Sequence, residues 1–381
     1  MRLRFVMVLG ALCAMPASAL AQITEATAAA YVKKVEMPDS TQSSLKQQAQ
    51  TIIDATYTGV LSSWNAVGAN KFTARTVRLQ FQGSLGYNMA LSLPAEAKSD
   101  VDVAFLYLYN SGNNQPQPPN PPNPAFSPVQ LKDRARDVFK NAYPSYTYAI
   151  KDPVVVIQKG TGTAADHFDI AFFDELIASG ATPPSSTCVN TSVKTSPCSE
   201  LNWGTSTNWG TTGNQQNWSP SDRLNLNGTL NAVFDGRQDS LQIHEAGKIF
   251  KEWRYKVYAT PDSDVDSPEK PPSIALVTLL YNFLKTNPTP YSNAFVLLRD
   301  TIQYSLTTNF KNNCDSQPPD FQILAITYPN SNLLSKMIQK EKKEFCTKLT
   351  AFKGALDYAT DSKTSEAQAI TRLQNYLPLF P

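Results

Sequence analysis

Seven prolines interrupt this chain between residues 110 and 128, and this stretch restricts its folding more than any other feature. Proline has no backbone N–H and a fixed φ, so the stretch favours polyproline II and excludes a helix or a central strand. We interpret it as a semi-rigid linker or an exposed loop. A docking ligand for an aromatic groove is the alternative. The stretch separates an N-terminal region, residues 22–109, from the remainder of the chain.

Apolar residues spaced three and four apart predict helices on both sides of the Pro-rich stretch. Residues 22–109 read as mostly helical, with one period-2 strand signal at Thr76–Gln82 and an apolar run at Val101–Tyr109 that fits a strand or a helix. Residues 129–180 read as mixed: a helix to Ala142, two short strands, then a helix over Thr163–Ser179. Residues 223–381 read as helical. The predicted fold class is mainly α with a few short strands, an α+β protein.

The first 21 residues have the pattern of a secretory signal peptide. Arg2 and Arg4 precede an apolar run from Phe5 to Ala14, and Ala19 and Ala21 supply small residues at the −3 and −1 positions. The run is shorter than the ~20 apolar residues that a membrane span needs. We therefore expect cleavage after Ala21, a periplasmic location and no membrane span.

Export decides how the cysteines are interpreted. Cys13 is lost with the signal, and an even number in an oxidising compartment favours disulfides; the four that remain are Cys188, Cys198, Cys314 and Cys346. Three connectivities are possible, and we favour the local pairs Cys188–Cys198 and Cys314–Cys346. A metal site is not predicted, because the chain has no Cys-x-x-Cys pair and only two histidines. No cofactor is predicted either.

Residues 181–222 are rich in Ser, Thr, Asn, Gly and Trp and contain few aliphatic residues. Asn–Trp dipeptides recur at Trp203, Trp209 and Trp218, inside a segment that cannot bury its own backbone. We predict that these three rings are interaction residues that anchor the insert to a neighbouring surface. Glycan binding and simple disorder are the alternatives.

Neither the net charge nor the motifs of the sequence indicate a catalytic function. The chain has 34 basic and 32 acidic side chains, and loss of two arginines with the signal makes these equal, which argues against nucleic-acid binding. Gly83–Gly86 lacks the spacing of a Gly-x-Ser-x-Gly elbow, and His244 has Lys248 where a zinc protease needs a second histidine. His167 lies between Asp166 and Asp169, but on the predicted helix these carboxylates point away from it. No catalytic residue is predicted, and hence no enzyme.

The whole chain resembles the IcmX group of the Dot/Icm type IVB secretion system. The resemblance rests on the cleavable signal, the Pro-rich interruption at Gln115–Pro124 and the turn-rich entry Arg223–Leu230 into the helical C-terminal half. It implies a non-enzymatic periplasmic component of the apparatus that delivers effector proteins into host cells. It also implies other envelope proteins as partners and self-association. The alternative is a periplasmic glycan-binding or glycan-processing protein, whose paired carboxylates a sequence cannot reveal.

Overall fold

The computed structural model describes residues 23–68, 72–92, 100–109, 128–151, 154–160, 166–175, 200–203, 218–220, 223–258, 270–314, 321–326, 332–377 and 380. The helices of this part are α1 (Glu25–Val35), α2 (Asp39–Gly68), α3 (Gly83–Gly86), α4 (Pro128–Ala142), α5 (Arg223–Phe234), α6 (Ser240–Val257), α7 (Ser273–Thr286), α8 (Ala294–Thr308), α9 (Gln339–Thr360) and α10 (Glu366–Leu373). The strands are β1 (Phe72–Phe81), β2 (Asp100–Tyr109), β3 (Thr147–Ile150), β4 (Val154–Lys159), β5 (Asp166–Glu175), β6 (Glu200–Trp203) and β7 (Trp218–Pro220).

The strands form one mixed sheet in the order β1-β2-β5-β4-β3, with β6 on β5 and β7 on β6. β2 and β5 are its central pair and run parallel, whereas the other pairs are antiparallel. A parallel pair cannot be closed by a hairpin, and the chain between β2 and β5 includes α4 and the β3–β4 hairpin. Neighbouring positions on β2 and β5 therefore come from distant parts of the sequence.

One face of the sheet is covered by α2 and α4. Trp64 of α2 is wholly buried, packs edge-on against Tyr107 of β2 and Phe172 of β5, and donates from its indole nitrogen to the Leu131 carbonyl of α4 at 2.9 Å. A buried Trp with a satisfied N–H is among the largest apolar contributions a core can contain. These contacts fix the two central strands against both helices.

The second core consists of helices. α1 and α5–α10 enclose it, with Trp253 of α6 stacked on Phe352 of α9 at 5.3 Å between ring centroids. The N-terminal segment is part of this core, because Ile23 is buried and its N–H donates to the Ala359 carbonyl at 3.1 Å. Among the helices that the structure describes, none combines the length and apolar character of a membrane span.

The α+β fold class is confirmed, but one predicted element is wrong. Residues 166–175 form the central strand β5 where the sequence predicted a helix over Thr163–Ser179. Three apolar residues of this segment, Phe168, Ile170 and Phe172, are spaced by two and are all buried. Period-2 spacing is a strand signal. The strands are also longer than expected, since β1, β2 and β5 have 10 residues each.

Several predicted features lie outside the described residues. These are the signal peptide, most of the Pro-rich stretch, Cys188, Cys198 and Trp209; for Trp203 and Trp218 only the strand backbone is described. Cys314 and Cys346 are joined by a disulfide with their Cα atoms 5.5 Å apart. This bond attaches the segment after α8 to the first half of α9.

Candidate active site

Two aspartates lie side by side on the central strands. Asp102 of β2 is the register partner of Asp169 of β5, and both are half-buried. Neighbouring strands are about 4.8 Å apart and paired residues point to the same face, so these carboxylates belong to one site. Asp100 occupies the position two residues before Asp102, on the same face of β2, opposite His167. The pattern Asp-x-Asp on one strand and Asp on its parallel neighbour places three acidic positions together.

The turn after β1 passes directly over Asp102. The Gln82 N–H donates to the Asp102 carbonyl at 2.8 Å, and Gly83 follows with a φ of +55°. A Cβ built on Gly83 would overlap the Asp102 carboxylate. Glycine is required here for its left-handed backbone and for the close approach, and it lets the main chain contact the carboxylate.

Ser84, the residue after Gly83, accepts a hydrogen bond from a buried lysine. Lys251 of α6 is 3% exposed, and its Nζ donates to Ser84 Oγ and, at 2.7 Å, to the Met89 carbonyl. Burial lowers the pKa of Lys251 to about 7, and Asp102 opposes that shift. Burial raises the pKa of Tyr87, the Asp102 charge adds to the rise, and the Tyr87 hydroxyl hydrogen-bonds Ser84. We call residues 83–89, which include Ser84, the catalytic turn of this candidate site.

Two more contacts fix the catalytic turn against the helical part of the molecule. Asn227 of α5 donates to the Phe81 carbonyl at 2.7 Å, and a Cβ on Gly86 would overlap that amide group. A Cβ on Gly247 of α6 would overlap the Met89 side chain. The site is therefore assembled from both cores: carboxylates from the sheet, and the turn's supports from α5 and α6.

The oxygen-rich face of β2 and β5 fits a hard divalent cation. Mg²⁺ prefers carboxylate oxygens and keeps several of its waters, so it needs only one or two carboxylates from the protein. The Gly83 cradle brings the backbone against one of those carboxylates. Among the side chains that the structure describes, no group of three or more His, Cys, Asp or Glu is close enough to bind one ion.

The residues considered from the sequence lie in different places. His167 is buried on β5, two residues before Asp169, and so belongs to the edge of this site. His244 instead meets Asp235 at 2.7 Å, and Lys248 pairs with Glu36. Gly83–Gly86 forms the short helix α3, which is the first part of the turn that lies against Asp102. The missed signal is a Gly-Ser turn after one strand with Asp-x-Asp on the next.

Comparison with solved structures shows the same fold in two nucleotide-bound bacterial proteins. The structure of Escherichia coli MS115-1 CdnC with ATP matches with a TM-score of 0.61 and 15% identity, over 94% of this chain and 99% of that one. Vibrio cholerae DncV, a cyclic AMP-GMP synthase in complex with the linear intermediate 5' pppA(3',5')pG, matches with a TM-score of 0.61 and 12% identity, covering 94% and 96%. No protein-family model matches the sequence, and no curated protein does.

These matches overturn the functional predictions drawn from the sequence. The chain shares its fold with CdnC and with the cyclic AMP-GMP synthase DncV, so the predicted IcmX resemblance, secretion component and absence of enzymatic activity are wrong. The error has a physical reason: the acidic positions and the catalytic turn converge only through the parallel pairing of β2 with β5. The expected envelope partners and self-association lose their basis as well.

A further match is the structure of the Escherichia coli MS115-1 CdnC complex with HORMA-deltaN. It matches with a TM-score of 0.58 and 13% identity, over 94% of this chain and 99% of that one.

Proposed function

We propose that this chain is a nucleotidyltransferase that joins nucleoside triphosphates through phosphodiester bonds, with a cyclic oligonucleotide as product. The observation that carries the proposal is the pairing of Asp102 with Asp169 beneath the catalytic turn. Support comes from the matched folds, whose structures contain ATP in CdnC and a linear dinucleotide intermediate in DncV.

The proposed reaction makes one bond and breaks one. A ribose hydroxyl oxygen attacks the α-phosphorus of a triphosphate, the bond to the β-phosphate oxygen breaks, and pyrophosphate leaves. The hydroxyl loses its proton, which a carboxylate or water at the site accepts. Closing the ring repeats the same exchange within the linear product.

The residues present suit these tasks. Asp102 and Asp169 would hold Mg²⁺ ions, which supply positive charge to neutralise the phosphates. Lys251 places a buried amino group against Ser84, and a polyphosphate that packs on the catalytic turn would favour the protonated form of this amine. Because Gly83 has no Cβ, the main chain of the turn lies directly against the Asp102 carboxylate.

The direct test is incubation of the purified chain with ATP, GTP, CTP and UTP, singly and mixed, with Mg²⁺ or Mn²⁺. We expect release of pyrophosphate and a phosphatase-resistant product whose mass corresponds to a cyclic oligonucleotide. A chain that binds nucleotides but releases no pyrophosphate with either metal would contradict the proposal.

We also propose that the protein acts outside the cytoplasm of the cell that makes it. The signal-like pattern of residues 1–21 and the Cys314–Cys346 bond support export, because disulfides are rare in the cytosol. An exported enzyme of this kind would depend on nucleoside triphosphates that reach its compartment from another one.

Export predicts a mature chain that begins at Gln22 and carries the Cys314–Cys346 bond. N-terminal sequencing and peptide mapping without reductant measure both. Replacement of Cys314 and Cys346 by Ala should lower the free energy of unfolding by about 3–4 kcal/mol, since the bond closes a loop with a sequence separation of 32. An unprocessed N-terminus, or alkylation of both cysteines in protein from its native source, would contradict export.

The buried lysine predicts a pH dependence of stability. The pKa of Lys251 is about 7 in the folded chain and about 10.4 in an unfolded one. The unfolded state therefore binds more protons between these values, and the unfolding free energy rises with pH by up to about 1.4 kcal/mol per unit. Chemical unfolding between pH 8 and 9.5 should show this rise in the wild type and not in Lys251→Met. If the unfolding free energy rose with pH equally in both proteins, the titration of Lys251 would not be the cause of the rise.

A further inference from the structure

Two asparagines of α5 reach the catalytic turn from the helical core. Asn227 and Asn231 are four residues apart, so they lie one turn apart on the same face of the helix. Asn227 is 5% exposed and donates from Nδ2 to the Phe81 carbonyl at 2.7 Å. Asn231 donates from Nδ2 to the Gly86 carbonyl at 3.3 Å. One helix therefore holds the chain just before the catalytic turn and again within it.

The peptide unit between Phe81 and Gln82 connects Asn227 to the strand that carries Asp102. Its C=O accepts from Asn227, and its N–H, which belongs to Gln82, donates to the Asp102 carbonyl at 2.8 Å. A peptide unit is planar, so these two bonds together fix its orientation. The unit directly precedes Gly83, whose backbone lies against the Asp102 carboxylate. Asn227 thus sets the direction in which the chain enters the catalytic turn.

The second asparagine holds the other end of the same loop. The Gly86 N–H donates to the Gln82 carbonyl at 3.2 Å and closes residues 82–86, and the Gly86 carbonyl accepts from Asn231. A Cβ on Gly86 would lie 2.8 Å from the Phe81 oxygen and would overlap the Asn227 amide. The absence of a side chain at Gly86 therefore lets the closed loop pack directly on α5.

The helix that presents these amides is itself anchored. Leu230 and Phe234 of α5 are wholly buried in the helical core. Their burial fixes the backbone of α5, so Asn227 and Asn231 donate from fixed positions. A buried carbonyl that loses its donor carries a free-energy penalty, which a shift of the chain towards water relieves. Without Asn227 we therefore expect the Phe81 carbonyl, and the turn after it, to move.

We propose that Asn227 and Asn231 are positioning residues for nucleotidyl transfer, which hold the catalytic turn at a fixed place against Asp102. They act through the backbone of the turn, at the carbonyls of Phe81 and Gly86. The effect on catalysis rests on the proposed function, whereas the fixing of the turn does not.

The chain contains a matched control at the opposite end of β1. Asn65 of α2 donates from Nδ2 to the Phe72 carbonyl at 2.8 Å and accepts from the Phe72 N–H at 2.8 Å. It is the same residue type, on a helix, bonded to the same strand. Since β1 has 10 residues, this contact lies about 30 Å from the one at Phe81. Asn65→Ala should lower the Tm and leave kcat at the wild-type value.

The kinetic test measures kcat and KM separately, well below the Tm of each protein. In Asn227→Ala we expect kcat to fall at least about tenfold, because small displacements at a reacting centre are costly. Asn227→Asp should lose as much, since a carboxylate of nearly the same size cannot donate to the Phe81 carbonyl. Asn231→Ala, which removes a longer bond from a half-buried residue, should show a smaller loss of the same kind and serves if Asn227→Ala does not fold.

Hydrogen–deuterium exchange measures the turn without any reaction. The Gly86 and Met89 N–H groups donate to the Gln82 and Ser84 carbonyls, so they report on residues 82–89. We expect their exchange to be about tenfold faster in Asn227→Ala than in the wild type. Asn65→Ala should not change it.

Each outcome decides one part of the proposal. Unchanged exchange of residues 82–89 in Asn227→Ala overturns the fixing of the turn. A wild-type kcat in Asn227→Ala or Asn227→Asp, a loss confined to KM, or an equal loss of kcat in Asn65→Ala overturns the positioning role. If the wild type performs no nucleotidyl transfer, the proposed function fails, and the exchange result still decides whether α5 fixes the turn.

Discussion

Replacement of Asp102 by Asn should abolish nucleotide joining while the chain stays folded. The amide is isosteric, and the hydrogen bond from the Gln82 N–H goes to the Asp102 backbone carbonyl, which the change does not touch. What is lost is a negative oxygen that faces Asp169 across the β2–β5 pair. A carboxylate that holds a catalytic Mg²⁺ supports several kcal/mol of charge stabilisation, so the rate should fall by about a thousandfold or more. Asp169→Asn should behave in the same way.

The measurement is pyrophosphate release at saturating ATP and GTP, with circular dichroism to follow folding. Asp137→Asn is the matched control: this carboxylate lies on α4, 61% of its side chain is exposed, and it forms a surface pair with Arg136. Its rate should equal that of the wild type. Retention of more than a tenth of the activity in both Asp102→Asn and Asp169→Asn would remove these residues from the site.

The helices were easier to predict than the sheet, and the reason is physical. The face of α4, with Leu131, Ala135 and Phe139 buried, is written in consecutive turns, and Pro128 marks its start. β5 is buried on both faces, and a run in which Phe168, Ile170, Ala171 and Phe172 are all buried can be assigned to a helix or to a strand. If this run is assigned to a helix, the sequence predicts no partner for Asp169 on a neighbouring strand.

The site could not be assembled from local sequence for the same reason. Asp102 and Asp169 are separated by the Pro-rich stretch, α4 and a hairpin, and only the parallel register of β2 with β5 makes them neighbours. Lys251 belongs to a helix from the other core and meets Ser84 across more than 160 residues of chain. The sequence does contain one usable signal, which is a Gly-Ser turn after one strand and an Asp-x-Asp pattern on the next. Two adjacent strands would place the turn and these aspartates at the same edge of a sheet.

Gly83→Ala should abolish the proposed nucleotide joining by a different route, through the backbone. A φ of +55° costs an L-residue roughly 1–2 kcal/mol, and the new Cβ would also overlap the Asp102 carboxylate. Either the carboxylate turns away or the turn lifts from it. A displacement of about 1 Å at a reacting centre costs on the order of a hundredfold in rate, so we expect a loss of at least that size with a small fall in Tm.

A second substitution at the same position separates the two causes. Asparagine tolerates the left-handed region better than alanine but still has a Cβ, so Gly83→Asn should recover part of the stability and none of the activity. Gly354→Ala on α9 is the matched control, because a Cβ there meets nothing within 4 Å and a helical Gly→Ala change stabilises by roughly 0.5–1 kcal/mol. It should raise the Tm and leave the rate unchanged. If Gly83→Asn regained activity in step with its stability, the backbone conformation alone would be what the site requires, and the close approach of the catalytic turn to Asp102 would have no catalytic role.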